Sequence, residues 1–139
     1  MKVVTKYLKL HTRGELEMVD ITPLVEGAVE EAGLKDGIVT VFVAGSTGAV
    51  TTIEYEPGLL KDFPAMLERV APRGILYEHE RRWHDGNGHS HVRASLLGPS
   101  LTVPIVNRKL TLGTWQQLVF VELDIHSRSR ELVLQIMGE

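Results

Sequence analysis

The sequence predicts an α+β domain in which antiparallel strands dominate and two helices lie in the first half. Short runs rich in β-branched residues recur along the chain, two stretches carry apolar residues at helical spacing, and glycines and prolines separate these segments. The 139 residues match the size of one domain. We therefore expect residues 1–139 to form a single compact, β-rich, sandwich-like domain.

The composition excludes several classes of protein. Hydrophobic residues make up 43% and charged residues 24%, which is typical of a folded globular chain rather than a disordered one. The net charge of -3 argues against a nucleic-acid partner. The chain has no cysteine, which excludes disulfides, thiolate-bound metal and thiol catalysis, and we expect a cytoplasmic location. No apolar run approaches the roughly 18 residues of a membrane span, so no membrane partner is expected.

The predicted strands are the apolar or alternating runs between turn residues. A hairpin turn is expected at residues 12–15, between the first two strands, and another turn near Asn107 and Arg108. The strands are predicted at residues 3–10, 16–21, 38–44, 49–55, 101–106, 115–124 and 131–137.

Two helices are predicted between these strands. In the first, Thr22 is expected to cap the N-terminus, Pro23 to occupy the first helical position and Gly33 to end the helix. The second begins at residue 57 and ends before residue 72, and Pro64 is expected to kink it or split it in two.

Four of the six histidines lie in or beside a polar segment, residues 73–90, which is expected to be one long irregular loop. On a strand, His89 and His91 would face the same side and could bind a metal with His79 or a carboxylate such as Asp85. On a helix, residues two apart diverge and only one of the pair could serve. The alternative is a polar loop with solvated histidines, among which we count His84.

Two carboxylates near strand ends, Glu122 and Glu54, are candidates for acid–base chemistry. Glu122 shares a strand face with Phe120, where a carboxylate is costly unless it is paired or liganded, and partial burial would raise its pKa. Alternatively, Glu122 and Asp124 lie in solvent at a strand end. Glu54 follows another strand and could be a ligand, a base or an exposed residue.

Anion-binding and stacking groups are also present. Arg128 and Arg130 lie in a turn and could bind phosphate. The Gly45-Ser46-Thr47-Gly48 run could offer backbone N–H groups and hydroxyls to an anion, although it is not a Walker motif, and a bulge or plain turn is the alternative. Trp83 and Trp115 could stack on a planar ring, or could be buried or lie at a subunit interface.

Taken together, the motifs resemble the YjbQ-like family, described as secondary thiamine-phosphate synthase enzymes. The resemblance runs from about residue 45 to the C-terminus. One departure is that Gly45 stands where many members have the histidine of a His-Thr-Thr stretch. The matching motifs are Tyr77-x-His79, Asp85-Gly86-Asn87 followed by His91, Ser95-Leu96-Leu97-Gly98, Leu112-Gly113-Thr114-Trp115-Gln116, Glu122-Leu123-Asp124 and Arg128-Ser129-Arg130.

This resemblance implies a β-rich α+β fold, commonly assembled as a homotrimer, with a polar cleft near subunit contacts. The cleft would gather His79, His91, Glu54 and Glu122, and some members look like metal binders. The implied activity joins a pyrimidine diphosphate to a thiazole phosphate with release of pyrophosphate. Two alternatives are a metal-dependent hydrolase of a small phosphorylated metabolite and a non-catalytic trimeric ligand-binding module.

Each candidate residue has an expected role. The catalytic carboxylates would be Glu54, Glu122 and Asp85. A divalent metal ion, Mg²⁺ or Zn²⁺, would be held by His79, His89 and His91, because a chain without cysteine can offer only nitrogen and oxygen ligands. The expected substrate-binding residues are Ser46, Thr47, Asn87, Trp115, Gln116, Arg128 and Arg130.

Overall fold

Two antiparallel sheets of unequal size form the framework of the protein. The computed structural model describes residues 1–139, and it confirms the predicted α+β class with antiparallel sheets. The elements in chain order are β1 (Lys2–His11), β2 (Met18–Asp20), α1 (Thr22–Ala32), β3 (Gly37–Val43), β4 (Gly48–Ile53), α2 (Leu59–Val70), α3 (Glu78–Trp83), α4 (Gly88–Leu97), β5 (Ser100–Val106), β6 (Lys109–Leu110), β7 (Gln117–Glu122) and β8 (Ser129–Gly138).

The larger sheet has the strand order β1-β8-β3-β5-β6, so that β8 lies between β1 and β3. Side chains along β8 alternate between the two faces of the sheet. Leu132, Leu134 and Ile136 are fully buried in the main core, and the residues between them are half-buried. Arg130 belongs to the same inward series, which brings a charged group to the edge of the apolar core.

The smaller sheet has the order β2-β7-β4, and its central strand β7 is buried on both faces. Leu118 and Phe120 join the main core between the sheets, whereas Val119 and Val121 join a second core with Leu67 of α2. Glu122 has the parity of Phe120. Its carboxylate is therefore directed towards the space between the two sheets.

The hairpin predicted at residues 12–15 is wrong, because β1 and β2 belong to different sheets. β1 pairs with β8, from Lys2 opposite Gly138 to His11 opposite Ser129, and β2 pairs with β7. The connection between them crosses the end of the sandwich, where the Thr12 N–H donates to the Arg128 carbonyl at 2.8 Å. By contrast, the turn at residues 107–108 is present, and both of its residues have positive φ.

Both predicted helices form, with corrections at their ends and interior. Gly33 ends α1 with φ +72°, as predicted, but the N-cap position is Ile21, and the Thr22 hydroxyl instead accepts the Leu118 N–H at 2.8 Å. Pro64 lies inside a single helix, α2, which is not split. The packing of Leu67 and its apolar neighbours on the smaller sheet compensates for the hydrogen bond that Pro64 cannot make.

The segment 73–90 is not one irregular loop, because it contains α3 and the start of α4. The protein therefore has four helices rather than two. Neither extra helix has a strong apolar period: α3 is only six residues long with no buried residue, and the buried face of α4 includes His89, Ser90 and Arg93. Tertiary contacts, not local patterning, stabilise these helices. No helix is both long and apolar enough to cross a bilayer.

Candidate metal and substrate site

Two helices and the loop between them bring together a His–Asp–His cluster. His79 lies on α3, Asp85 on the connecting loop and His91 in α4, and their ligand atoms all lie within 4.8 Å of one another. His79 Nε2 is 3.2 Å from the Asp85 carboxylate, and the two imidazole centroids are 4.4 Å apart. Two imidazoles and a carboxylate with solvent access form the donor set of an open metal site.

The Asp85 carboxyl group is held in its ionised form. The Asn87 backbone N–H donates to Asp85 Oδ1 at 3.0 Å and is the main cause of a lowered Asp85 pKa, with a further contribution from His79. An ionised carboxylate is the form that binds a cation. The structure therefore places Asp85 where it could serve as a metal ligand, and its contacts do not single it out as a catalytic acid or base.

Close packing of α3 on the start of α4 sets the separation of the two histidines. Glu80 Oε1 accepts the Gly88 N–H at 2.7 Å, and a Cβ at Gly88 would lie 2.5 Å from the Tyr77 Cβ, so that only glycine fits there. The second oxygen of Glu80 is buried without a hydrogen-bond partner. Sequence reasoning did not identify Glu80, since nothing local marks its contact with a residue eight positions later.

His89 does not join the cluster, so its assignment as a metal ligand is wrong. It lies on a helix, where a residue two positions from His91 is rotated by about 200° around the axis. Its buried ring instead lies with Nε2 2.9 Å from Glu15 Oε1. The helical alternative stated for this segment is the correct one, and only His91 of the pair faces the site.

Arg93 and Glu15 form a buried network behind α4 that sequence reasoning missed. The fully buried Arg93 donates to the Ala71 carbonyl at 2.9 Å, to Glu68 at 2.8 Å and to Glu15 at 3.2 Å. His89 and Arg93 both contact Oε1 of Glu15. The two residues are four positions apart and so lie on one face of the helix. The network fixes α4 against α2 and the β1–β2 connection.

Asp124 is a second buried centre of charge. The Thr47 hydroxyl donates to Oδ2 at 3.0 Å, Arg128 donates from Nε at 3.0 Å, and the His126 N–H donates to Oδ1 at 2.8 Å. Burial alone would raise the pKa of Asp124. These donors, together with the Asn87 amide, instead hold the pKa well below its usual range. Asp124 is therefore ionised throughout the neutral range, and it orients Arg128 and Thr47.

Asn87 connects the His–Asp–His cluster to Asp124. Its backbone N–H bonds Asp85, its side-chain amide donates to Asp124 Oδ1 at 3.3 Å, and its Oδ1 accepts the Ser90 hydroxyl at 2.9 Å and the Ile125 N–H at 3.1 Å. Asn87 is 3% exposed. Because these groups are already used within the protein, Asn87 acts as part of the scaffold and not as a direct substrate ligand.

Glu122 is paired, which was one of the conditions stated for a carboxylate on that strand face. It is fully buried and accepts the Thr12 hydroxyl at 2.7 Å and Arg130 Nε at 2.9 Å, while Arg130 Nη2 contacts its second oxygen. That oxygen also accepts the Asp124 N–H at 3.1 Å. This is a satisfied ion pair, so the structure does not place Glu122 as a free acid or base.

Three of the predicted site residues lie at the end of the smaller sheet that is far from Glu122. Ile53 pairs with Gln117 and Gly48 with Glu122, and this five-residue interval corresponds to about 17 Å. Glu54, Trp115 and Gln116 follow or precede the far end, and both Glu54 and Trp115 are exposed. The cluster around His79 and His91 contains Asp85 and not Glu54, so within one chain the expectation that Glu54 joins them is wrong.

Gln116 lines a cavity separate from the His–Asp–His cluster, and one of the two tryptophans is close to that cluster in the sequence. Gln116 lines a cavity of about 430 Å³ between β4 and β5, together with Thr52 and Thr102. Trp83, two residues before Asp85, is 62% exposed and is the indole closest in sequence to the metal cluster. The structure thus leaves the Trp83 indole exposed in the segment that carries the cluster, with the Arg82 guanidinium carbon 5.6 Å from the ring centre.

The geometry defines a class: a small α+β domain of two antiparallel sheets with an open His–Asp–His cluster at one end. The family model described as UPF0047 protein YjbQ-like matches residues 6–139. The chain therefore belongs to the YjbQ/UPF0047 family, as the motifs predicted.

Sequence relatives and solved structures agree with this assignment. A UPF0047 protein of Methanothermobacter thermautotrophicus is 42% identical over 139 residues, which cover all of this chain and 95% of that protein. A UPF0047 protein of Archaeoglobus fulgidus is 39% identical over 130 residues, covering 94% and 98%. The crystal structure of a YbjQ-like protein of unknown function from Sulfolobus solfataricus has a TM-score of 0.94 at 36% identity, covering 99% of both chains. A hypothetical protein from Aeropyrum pernix has a TM-score of 0.90 at 32% identity, covering 98% of this chain and 99% of that one.

Proposed function

We propose that this protein is a metal-dependent enzyme that acts on a small phosphorylated metabolite. The observation that carries the proposal is the convergence of His79, Asp85 and His91, whose ligand atoms lie within 4.8 Å of one another. Zn²⁺ or a similar transition metal suits two imidazoles and one carboxylate better than Mg²⁺, which prefers an all-oxygen shell. When bound there, such an ion would supply Lewis-acid stabilisation of phosphoryl oxygens and an acidified water.

The residues around the cluster support substrate binding. Arg128 is held by Asp124 through Nε and Nη2, and its side chain is 49% exposed, so that its guanidinium is both oriented and accessible. An oriented guanidinium is a good ligand for phosphate oxygens. The exposed indole of Trp83 provides a stacking surface for a planar ring.

The reaction implied by the family resemblance is formation of thiamine phosphate. In that reaction the thiazole nitrogen attacks the methylene carbon of the pyrimidine diphosphate, the C–O bond breaks, and pyrophosphate leaves. Arg128 would hold the departing pyrophosphate and Trp83 would stack on the pyrimidine. Asp85 and the two histidines would keep the ion beside the leaving group.

Hydrolysis of a phosphate ester is the second candidate. One observation favours it: within a single chain, Glu54, Trp115 and Gln116 lie about 17 Å along the sheet from the end that carries Glu122. A site with one indole and one accessible arginine suits one substrate and water more simply than two organic substrates.

We include a homotrimer in this proposal. Several large side chains on the outer face of the larger sheet are exposed, and they lie in apolar rows across β1, β8 and β3. Covering them would remove apolar surface from water, as expected for a subunit interface. These side chains are Val3, Tyr7, Ile38 and Phe42. Sedimentation equilibrium would give three times the 15.5 kDa chain mass for a trimer, whereas a monomer would contradict this part of the proposal.

The test measures metal binding first and turnover second. Chelator-treated protein is titrated with Zn²⁺, Mn²⁺ and Mg²⁺ by calorimetry, and H79A and H91A are compared with H84N as the control. His84 is in the same segment but outside the cluster, and it has φ +52°, which asparagine tolerates. We expect tight Zn²⁺ binding that both alanine variants lose and H84N retains. Equal affinity in all four proteins would refute the metal site.

Turnover separates the two reactions. The metal-loaded protein is given the pyrimidine diphosphate and the thiazole phosphate, singly and together, and separately a set of phosphate monoesters. Pyrophosphate release only when both substrates are present supports the synthase, and phosphate release from single esters supports the hydrolase. If metal binds but neither product forms, an enzymatic role is contradicted and the ligand-binding module is the remaining candidate.

A further inference from the structure

Arg130 has an unused pair of hydrogen-bond donors although it is only 8% exposed. Its Nε and Nη2 bind Glu122, and Nη2 also donates to the Thr47 carbonyl at 3.1 Å and to the Thr47 hydroxyl at 2.9 Å. The remaining nitrogen, Nη1, forms no hydrogen bond within the chain, and a guanidinium Nη carries two N–H groups. The guanidinium carbon lies 5.7 Å from the centre of the Phe120 ring, so apolar packing and the ion pair hold the group in place.

The free nitrogen faces Gly45. A Cβ built at Gly45 would lie 3.1 Å from Arg130 Nη1, and no other atom would come within 4 Å of it. Any side chain at this position would therefore begin in contact with Nη1 and cover it. Gly45 also has φ +141°, a conformation that L side chains rarely adopt.

The backbone beside Nη1 offers further donors. Gly45 and Ser46 lie in the exposed loop between β3 and β4, and their N–H groups donate to no backbone or side-chain acceptor. Consecutive unpaired N–H groups in a loop favour anion binding. Thr47 closes the far side of this loop, where its hydroxyl accepts from Arg130 and donates to Asp124.

We propose that Arg130 Nη1 and the N–H groups of Gly45 and Ser46 form a binding site for a phosphate group, opened by the absence of a side chain at position 45. The Glu122 carboxylate balances the charge of Arg130. Recognition therefore depends on directed N–H donors, which suits a tetrahedral oxyanion presenting several acceptor oxygens. In the synthase reaction the site would anchor the phosphate of the thiazole substrate, which does not react, and in this respect alone it rests on the proposed function.

The contacts connect this phosphate site to the metal cluster. Arg130 contacts Thr47, Thr47 contacts Asp124, Asp124 contacts Asn87, and the Asn87 N–H bonds the metal ligand Asp85. The part of the protein that would bind the phosphate over Gly45 is thus joined by hydrogen bonds to the part that would hold the metal. Such a connection fixes the position of a reacting group.

The test measures phosphate binding in the absence of metal, so that it is independent of the proposed function. Chelator-treated, ¹⁵N-labelled protein is titrated with inorganic phosphate and, separately, with methyl phosphate, and amide shifts are followed by NMR. We expect saturable shifts of the Gly45 and Ser46 amides with both probes, and none at Gly33. Binding of inorganic phosphate alone would overturn the assignment to a phosphate ester, and no saturable shift would overturn the site itself.

Two variants add a matched comparison. G45A places a methyl group against Nη1, whereas G98A is the control, because Gly98 also has positive φ, at +94°, but nothing lies within 4 Å of its Cβ position. We expect at least tenfold weaker phosphate binding in G45A and unchanged binding in G98A. Equal affinity in both variants would refute the role of Gly45. If G45A does not fold, the wild-type shifts at Gly45 and Ser46 decide the matter. Loss of metal binding in H91A with phosphate binding retained would separate the two sites.

Discussion

The imidazole rings of His79 and His91 lie with their centroids 4.4 Å apart, although the two residues belong to different helices. Neither helix is predicted by apolar periodicity, and α3 has no buried residue. The separation of the rings therefore depends on how α3 is held on α4, and Glu80 and Gly88 make the hydrogen bond at that junction.

Glu80 is expected to control metal affinity without touching the metal. In E80A the Gly88 N–H loses its acceptor and α3 is released from α4. Outer positioning residues of this kind typically change metal affinity by about 10- to 100-fold. Zinc titration of the chelated protein measures the change.

Glu78 provides the matched control on the same helix. Its side chain is 82% exposed and pairs only with Arg81. We expect E78A to bind zinc like the wild type. If E78A and E80A weaken zinc binding equally, the effect belongs to helix charge and not to the Glu80–Gly88 contact.

His89 is expected to affect stability and not metal binding. H89N removes the contact with Glu15, a buried polar interaction whose loss typically costs about 1–3 kcal/mol. The free energy of unfolding, measured in urea, should fall while the zinc affinity stays unchanged. A large loss of zinc affinity in H89N with normal folding would restore His89 as a ligand.

Asp124 predicts a particular loss of stability in acid. Its pKa in the folded protein is below its usual value despite burial, because Arg128, Thr47, Asn87 and the His126 N–H stabilise the ionised form. A carboxyl with a lowered folded pKa contributes stability above its unfolded pKa, about 3.9, and that stability is lost as the pH falls towards the folded pKa. The free energy of unfolding of the wild type should therefore decrease between about pH 5 and pH 2.

The variant D124N should be less stable at pH 7 and should show a shallower acid dependence than the wild type. The asparagine weakens the hydrogen bonds to Asp124, but the remaining charge, Arg128, is half-exposed, so we expect a cost of about 1–3 kcal/mol. Asp62 on α2 is exposed, so D62N serves as the control and should follow the wild-type curve within about 0.5 kcal/mol. Parallel acid curves for D124N and the wild type would contradict the role assigned to Asp124.

Glu122 and Arg130 should behave as one unit in a double-mutant cycle. E122Q or R130M alone leaves a buried partner unsatisfied and is expected to cost about 3–5 kcal/mol. The double variant should cost less than the sum, with a coupling of about 0.5–3 kcal/mol. Denaturant unfolding gives the four values, and additivity would show that the pair is not coupled.

The Lys6–Glu31 pair offers a comparison at the surface. The Glu31 side chain is 69% exposed, and Lys6 lowers the pKa of that carboxyl through a hydrogen bond. Exposed pairs are screened by water and salt, so the same cycle on Lys6 and Glu31 should give a much smaller coupling.

Elements with a strong local pattern were predictable from the sequence. Alternation of apolar and polar residues predicted the strands observed as β1 and β8. The helical spacing of apolar residues that ends at Gly33 predicted α1. In these segments the period of the side chains and the choice of turn residues act over a few positions, so that adjacent residues carry the information.

Contacts between distant residues were not predictable. The sequence marked His79 and His91, but the buried polar face of α4 gave no helical period, and His89 was therefore assigned to the wrong partners. The Arg93–Glu15 contact joins residues 78 positions apart, and nothing in either neighbourhood marks the other.

The chain by itself thus determined the fold class, the family and the residue types available for chemistry: nitrogen and oxygen ligands, arginines and indoles. The tertiary structure decided which of them meet. Sheet register placed Glu54 and Trp115 at the end away from Glu122, and the ion pair with Arg130 satisfied a carboxylate that the sequence left open. The physical reason is that register and helix docking depend on burial summed over the whole core, whereas a motif records only its own few residues.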